Sequence, residues 1–292
     1  MPVTISTRGL LRALRADAAA REEGRHDVPR IRLVDVRWRP ERPDGRAEYL
    51  ASHLPGAVYA DLDHELANLD ADPRRGRRPL PDREQLEEVV RTWGVDDGDR
   101  VVVYDNTRGI AASRAWWLLS NAGVNVSILD GGLRSWADAG HQLSVGEPRV
   151  PRGNATLDWG LLPLATADDA ASAAANGTLI DVRGPARYRG EFEPYDVRPG
   201  HIPGAVNAPT IENTTHEGRF VDAENLRAKF VGLGVREGRP IVAYCGSGVC
   251  SAHTVAALTI AGFRPAFYAG SWSEWSRNDD LPAALGSEPY GH

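Results

Sequence analysis

The run Ile241-Val242-Ala243-Tyr244-Cys245-Gly246-Ser247-Gly248-Val249-Cys250 passes from four apolar residues into a loop of small ones, and a helical pattern from Ser251 to Ala261 follows at once. Strand, tight turn and helix in immediate succession place Cys245 where a strand ends and a loop-to-helix turn begins. The backbone N–H groups of such a loop, together with the helix N-terminus, point at one sulfur and favour thiolate over thiol at neutral pH. Glycines at 246 and 248 let the backbone approach closely and take a positive φ without a Cβ clash, which a cradle around an anion demands. Read as a small buried hydrophobe, the usual state of a free cysteine, Cys245 would leave that glycine spacing a coincidence. It is the lead nucleophile, with Gly246, Ser247, Gly248, Val249 and Cys250 forming its loop.

Working outward, the surroundings of this run have a counterpart earlier in the chain. Leu33-Val34-Asp35-Val36-Arg37 recurs as Leu179-Ile180-Asp181-Val182-Arg183, and His53-Leu54-Pro55-Gly56-Ala57-Val58 as His201-Ile202-Pro203-Gly204-Ala205-Val206. Gly94-Val95 followed by Val101-Val102-Val103-Tyr104 pairs with Gly234-Val235 followed by Ile241-Val242-Ala243-Tyr244, and Gly131 with Trp136 pairs with Gly270 with Trp275. The chain is a tandem duplication. Residues 1–145 form the first domain and residues 165–292 the second. Residues 146–164 form a linker, opened by the proline- and glycine-rich stretch from Gly146 to Asn154.

Within the first half, apolar runs at 32–36, 101–104 and 126–129 alternate with helical patterns near 83–93 and 111–122, and the second half repeats the order. That alternation predicts an α/β fold in which each domain is a mostly parallel sheet covered by helices, with ligands at the carboxyl ends of the strands. At the N-terminus, Ser6-Thr7 ahead of Leu10, Leu11 and Leu14 reads as a capped amphipathic helix.

The duplication separates scaffold from chemistry. Asp35 and Asp181 are shared, as are His53 and His201, so the aspartates read as strand-end hydrogen bonders and the histidines as turn residues. Cys245 is not shared, because the first half places Asp105 at the cysteine position and is catalytically silent.

Composition narrows the partners. A chain of 292 residues with 42% hydrophobic content suits two globular domains. A net charge of −6 without a basic cluster gives no reason to propose nucleic acid, and no apolar run approaches a membrane span. Two cysteines and no signal peptide point to the reducing cytoplasm. Lys229 is the only lysine, so anion recognition falls to arginine or to the backbone.

These residues resemble the rhodanese superfamily of two-domain sulfurtransferases, in which a silent first domain accompanies an active second one. The resemblance covers nearly the whole chain, through the paired His-Leu/Ile-Pro-Gly-Ala turns, Val103-Tyr104-Asp105 with Trp116-Trp117, Gly270-Ser271-Trp272-Ser273-Glu274-Trp275 and the cysteine loop. A loop of the form Cys-Gly-Ser-Gly-Val-Thr is similar to that of 3-mercaptopyruvate sulfurtransferases, whereas thiosulfate enzymes tend to carry basic residues after the cysteine. The resemblance implies a Cys245 persulfide, a small-molecule sulfur donor and a thiol or cyanide acceptor, such as thioredoxin or a low-molecular-weight thiol. It implies no cofactor and no metal.

It also implies roles for individual residues. Arg187 matches the family position that clamps the donor. The second family arginine falls at Tyr195, leaving Arg198 nearby as a substitute. Ser247 and Asp63 match two members of a proposed Ser-His-Asp relay, but Arg78 occupies the histidine position. Cys250 stands where threonine is usual, either as a redox or persulfide-resolving partner of Cys245 or as a plain replacement packed under the helix.

Competing readings are weaker. A cysteine-dependent phosphatase needs an arginine six positions after the nucleophile, and Ser251 is there. Zinc binding by Cys245 and Cys250 lacks partner ligands at a recognisable spacing. A non-enzymatic persulfide carrier would not need a small-molecule clamp. Thiosulfate as the true donor is the principal alternative.

Overall fold

The structure is a computed structural model that describes residues 2–25 and 28–291. Two compact units emerge: Met1–Leu66 with Pro81–Leu161 and His216–Phe220, and Ala67–Leu80 with Leu162–Thr215 and Val221–His292.

The first unit runs β1 (Thr4–Ile5), α1 (Thr7–Glu22), β2 (Ile31–Asp35), α2 (Arg46–Ala51), β3 (Val58–Tyr59), α3 (Leu62–Glu65), α4 (Arg83–Thr92), β4 (Arg100–Tyr104), α5 (Ile110–Asn121), β5 (Asn125–Leu129) and α6 (Gly132–Asp138). Its strands form one parallel sheet in the order β1-β5-β4-β2-β3. Val101, Val102 and Val103 are all fully buried, as a central strand covered on both faces requires. As the sequence suggests, Ser6 caps α1, its hydroxyl accepting from the Gly9 N–H at 3.1 Å.

The second unit contains α7 (Ala167–Asn176), β6 (Thr178–Asp181), α8 (Pro185–Tyr188), β7 (Val206–Asn207), α9 (Ala223–Gly232), β8 (Ile241–Tyr244), α10 (Cys250–Ile260), β9 (Ala266–Phe267) and α11 (Ser271–Trp275). The sheet order is β7-β6-β8-β9, all parallel. A parallel bridge between Leu164 and Phe267 extends it at the β9 edge, the place β1 takes beside β5 in the first unit. The tandem α/β architecture expected from the repeats is therefore present, five strands in one sheet and four in the other.

The shared residues are scaffold in both units. Asp35 lies across from Tyr104 and Asp181 across from Tyr244, and each aspartate is paired with a buried arginine two residues on, Arg37 and Arg183. His53 Nδ1 lies 2.9 Å from the Tyr49 carbonyl and its ring stacks on Tyr49; His201 does the same with Tyr188 at 2.8 Å. The hydroxyls of Tyr104 and Tyr244 accept from the N–H groups of Leu54 and Ile202, both at 3.0 Å. Each His-Leu/Ile-Pro turn is thereby fastened to the end of its central strand.

The structural division departs from simple cuts after residues 145 and 164. Residues 155 and 157 of the expected linker are buried alanine and leucine, and the segment is tied into the first unit by Gly153 N–H to the Arg91 carbonyl at 2.8 Å and Ala155 N–H to the Val95 carbonyl at 3.1 Å. A Cβ on Gly153 would lie 1.9 Å from the Val95 oxygen, so the backbone approach there requires glycine. Conversely, residues 67–80 belong to the second unit: the Arg77 N–H donates to Ser273 Oγ at 3.0 Å, and a Cβ on Gly76 would lie 2.8 Å from the Gly270 carbonyl oxygen. Hydrogen bonds cross the repeat boundary here in both directions, which strand and helix periodicity does not register.

Candidate active site

The site grows from the carboxyl end of β8. Cys245 is 3% exposed, and the loop after it curls so that the Gly248 N–H lies 3.1 Å from its sulfur. The Ser251 hydroxyl is 3.4 Å from that sulfur, and the backbone N–H groups of Ser247 and Ser251 also point at it. Gly248 adopts φ +78°, the left-handed conformation that turns the loop back on itself. No side chain caps the start of α10, so its first amides remain available to the sulfur.

The carbonyls are turned the other way. Trp272 N–H donates to the Cys245 carbonyl and Ser273 N–H to the Gly246 carbonyl, both at 2.9 Å, so the first turn of α11 holds the loop oxygens away from the sulfur. The Cys245 N–H donates to Ser271 Oγ at 3.1 Å, and that hydroxyl donates to the Tyr268 carbonyl at 2.8 Å. Ser271 pays for its place with φ +56°, an uncommon region for a residue with a side chain. Its counterpart in the duplication, Gly132, has φ +55° and no side chain.

Burial alone pushes the Cys245 thiol up, but hydrogen bonds from the Cys250 thiol, the Ser251 hydroxyl and the Ser251 and Ser247 amides outweigh it and bring its pKa well below the ordinary thiol range. Cys250 moves the opposite way: its hydrogen bond to the Cys245 sulfur, then burial, push its thiol well up, while the nearby Arg187 charge pulls it partly back. The surroundings thus favour the thiolate at Cys245 and the thiol at Cys250. No disulfide joins them.

Two guanidiniums lie over the loop. A Cβ on Gly246 would sit 3.0 Å from Arg77 Nη2 and 3.2 Å from both Arg187 Nη1 and Nη2. Arg187 is held by Glu193 at 2.7 Å and by Asp196 at 3.2 Å, and Arg77 by Asp196 at 2.9 Å. Tyr195 presents its ring to both, 5.3 Å from the Arg187 guanidinium carbon and 5.2 Å from that of Arg77. Among the described residues, Nη1 of Arg187 makes no hydrogen bond and lies beside Gly246, together with Arg77 Nη2, one of whose two N–H groups is taken by Asp196.

Of the residues singled out from the sequence, Cys245 through Cys250 and Arg187 come together. Arg78 joins them through Nη1, 3.4 Å from Ser247 Oγ, so a permanent cation stands where the resemblance expects a histidine. Asp63 lies in the first unit on α3, its backbone N–H donating to Asp61 Oδ1. Arg198, read from the sequence as a substitute clamp, is engaged by the backbone instead. Its guanidinium donates to the carbonyls of Ser276, Leu281, Trp275 and Asn278, closing the chain after α11. Four of its five N–H donors are thereby taken, leaving no paired fork for a substrate carboxylate.

Sequence reasoning missed Arg77, whose guanidinium lies with that of Arg187 beside Gly246, and Ser271. The Ser271 signal was present in the repeat, as the one position where Gly131-Gly132 becomes Gly270-Ser271. Arg77 carried none, since its loop has no periodic pattern.

The Rhodanese-like domain pattern matches residues 16–139 and 166–278. A Mycobacterium tuberculosis protein provisionally named thiosulfate sulfurtransferase SseB is 41% identical over 263 residues, 88% of this chain and 92% of that protein. A provisionally named 3-mercaptopyruvate sulfurtransferase of Pseudomonas aeruginosa is also 41% identical, over 267 residues, with 88% and 93% covered. The crystal structure of SseA from Escherichia coli, described with the fold and mechanism of 3-mercaptopyruvate enzymes, matches with a TM-score of 0.75 at 31% identity, covering 94% of this chain and all of that one. With both halves matched and the loop cysteine confined to the second, the chain belongs to the rhodanese-like family as a tandem-domain member.

Proposed function

We propose that this protein is a sulfurtransferase that takes sulfur from 3-mercaptopyruvate through a Cys245 persulfide. The observation that carries the reading is the amide and hydroxyl cradle around a buried thiolate, with the N–H donors of Arg187 and Arg77 above Gly246. Both guanidiniums are already paired with buried carboxylates, so the site offers aimed donors rather than surplus positive charge. Aimed donors suit a single carboxylate better than the compact thiosulfate dianion.

In the first half-reaction the Cys245 thiolate attacks the donor sulfur and the carbon–sulfur bond breaks. Its electron pair passes to carbon as the pyruvate enolate, which takes up the proton released from the donor thiol. Ser247, beside the Arg78 charge, is placed to pass that proton, because a neighbouring cation acidifies a hydroxyl. A persulfide anion remains on Cys245. Cyanide or a thiol then removes the outer sulfur, so ping-pong kinetics are expected.

Thiosulfate is the second reading, favoured by the name of the Mycobacterium relative. We place the protein in the cytoplasm with thioredoxin or a low-molecular-weight thiol as acceptor. Among the described residues no helix is long and apolar enough to cross a membrane.

Initial rates of sulfur transfer to cyanide, with both donors in parallel, test the proposal in wild type and Cys245→Ala. A preference for mercaptopyruvate that disappears in the variant supports it. Equal or faster turnover of thiosulfate overturns the donor assignment, and absence of turnover with either overturns the enzyme reading.

A further inference from the structure

We infer that Cys250 is an intramolecular resolving thiol that discharges the Cys245 persulfide as hydrosulfide, leaving a Cys245–Cys250 disulfide for an external dithiol to reduce. The inference rests on the persulfide reading above and adds a second exit for the sulfur.

Geometry brings the pair together. Residues 248 and 251 both touch the Cys245 sulfur, at 3.1 and 3.4 Å, and bracket Cys250 in the curl of the loop. The two thiols shift each other's ionisation in opposite directions, Cys245 down and Cys250 up, as close neighbours do. Cys250 is half-buried whereas Cys245 is buried, and the Arg187 charge reaches the Cys250 sulfur. A plain replacement packed away under α10 would not sit between two residues that touch the sulfur.

The step balances without an outside oxidant. The Cys250 thiolate attacks the inner sulfur of the persulfide, a sulfur–sulfur bond forms between the two cysteines, and the bond to the outer sulfur breaks. The outer sulfur leaves with the bonding pair and takes the Cys250 proton, as hydrosulfide. A dithiol of the thioredoxin class then reduces the disulfide by two exchange steps, becoming a disulfide itself and returning both thiols.

Loading also changes the field at Cys250. While Cys245 is a thiolate it holds the Cys250 thiol up, and moving the negative charge to the outer sulfur weakens that influence, with burial still raising Cys250 and the Arg187 charge still lowering it. Glycines at 246 and 248 give the intervening loop the freedom to close a disulfide.

The test is a single turnover with mercaptopyruvate and no acceptor, following pyruvate, hydrosulfide, free thiols and intact mass. In wild type, pyruvate release registers loading. Stoichiometric hydrosulfide then follows, with loss of both thiols and a Cys245–Cys250 cross-linked peptide. In Cys250→Thr and Cys250→Ser, loaded protein keeps the mass of one extra sulfur, and hydrosulfide release per pyruvate falls at least tenfold. Wild type that releases pyruvate but retains the extra sulfur, with no cross-linked peptide, overturns the resolving role and leaves the persulfide reading intact. Absence of pyruvate in wild type overturns the persulfide reading, and the resolving role with it.

Discussion

Asp105 stands in the first unit where Cys245 stands in the second, each directly after the tyrosine that ends its central strand. The Asp105 carboxylate accepts from the N–H groups of Thr107 and Gly109, both at 2.8 Å, and of Ala111 and Ala112 at 2.9 and 3.0 Å. The first loop is thus an anion cradle filled by its own side chain, while the second holds a sulfur. Leu133 N–H donates to the Asp105 carbonyl at 2.9 Å as Trp272 N–H does to that of Cys245, so the same carbonyl-turning device serves both loops.

Asp105→Ala leaves four inward-pointing amides without their acceptor. Each buried unmet donor costs about 1–3 kcal/mol, so even with partial relaxation the variant should lose about 3 kcal/mol or more, read by chemical denaturation. Stability within about 0.5 kcal/mol of wild type would show that the carboxylate does not organise the loop.

Cys245 should be alkylated by iodoacetamide with an apparent pKa below the ordinary value of about 8.5. Ser251→Ala, which removes the hydroxyl 3.4 Å from the sulfur, should shift that profile upward. Linkage fixes a second sign: because the folded pKa is depressed, thiolate stabilisation is fully present above the unfolded pKa of about 8.5 and is lost as pH falls through the folded value. The stability gap between wild type and Cys245→Ala should therefore widen as pH rises toward that limit. A gap that narrows would reverse the assignment.

Gly246→Ala places a methyl against the ends of Arg77 and Arg187. Both are flexible tips, so stability should change little, while displacement of the donors raises KM for the anionic donor about tenfold or more. Arg187→Lys, which loses the fork but keeps the charge, should show a similar KM effect. Unchanged KM in both variants would place the donor elsewhere.

Ser271→Gly removes the side-chain strain at φ +56° and also the acceptor for the Cys245 N–H. Thermal stability should hold close to wild type because the two effects oppose, whereas kcat/KM should fall about tenfold, roughly the worth of one hydrogen bond. Ser271→Ala keeps the strain without the bond and should melt earlier than either. Melting curves and steady-state rates measured together separate the two variants.

Arg198→Ala should cost stability through four orphaned carbonyls and leave the donor KM in place. A KM increase matching that of Arg187→Lys would restore Arg198 to the site.

The sheets and the two loops that follow their central strands were legible because each is carried by local pattern. Apolar runs mark strands, glycine spacing marks the cradle, and the repeat exposes Asp105 against Cys245. What pairs at long range was not legible. Arg198 and Arg77 are both arginines in proline- and glycine-flanked loops, and only the fold shows that one faces helix-end carbonyls and the other Gly246. The buried linker residues Ala155 and Leu157 were hidden for a similar reason, since a short extended segment tied by hydrogen bonds to α4 and the turn after it has no period to read.

Residues 67–80 lie early in the chain yet belong to the unit that carries Cys245, and they bring Arg77 and Arg78 to its loop. The two repeats are consequently not interchangeable parts. A gene cut at the boundary between them would yield one product with a thiolate but without two of its cations, and another with the cations but nothing for them to serve. With that loop in the second unit, the first repeat cannot be removed without taking Arg77 and Arg78 away from the Cys245 loop.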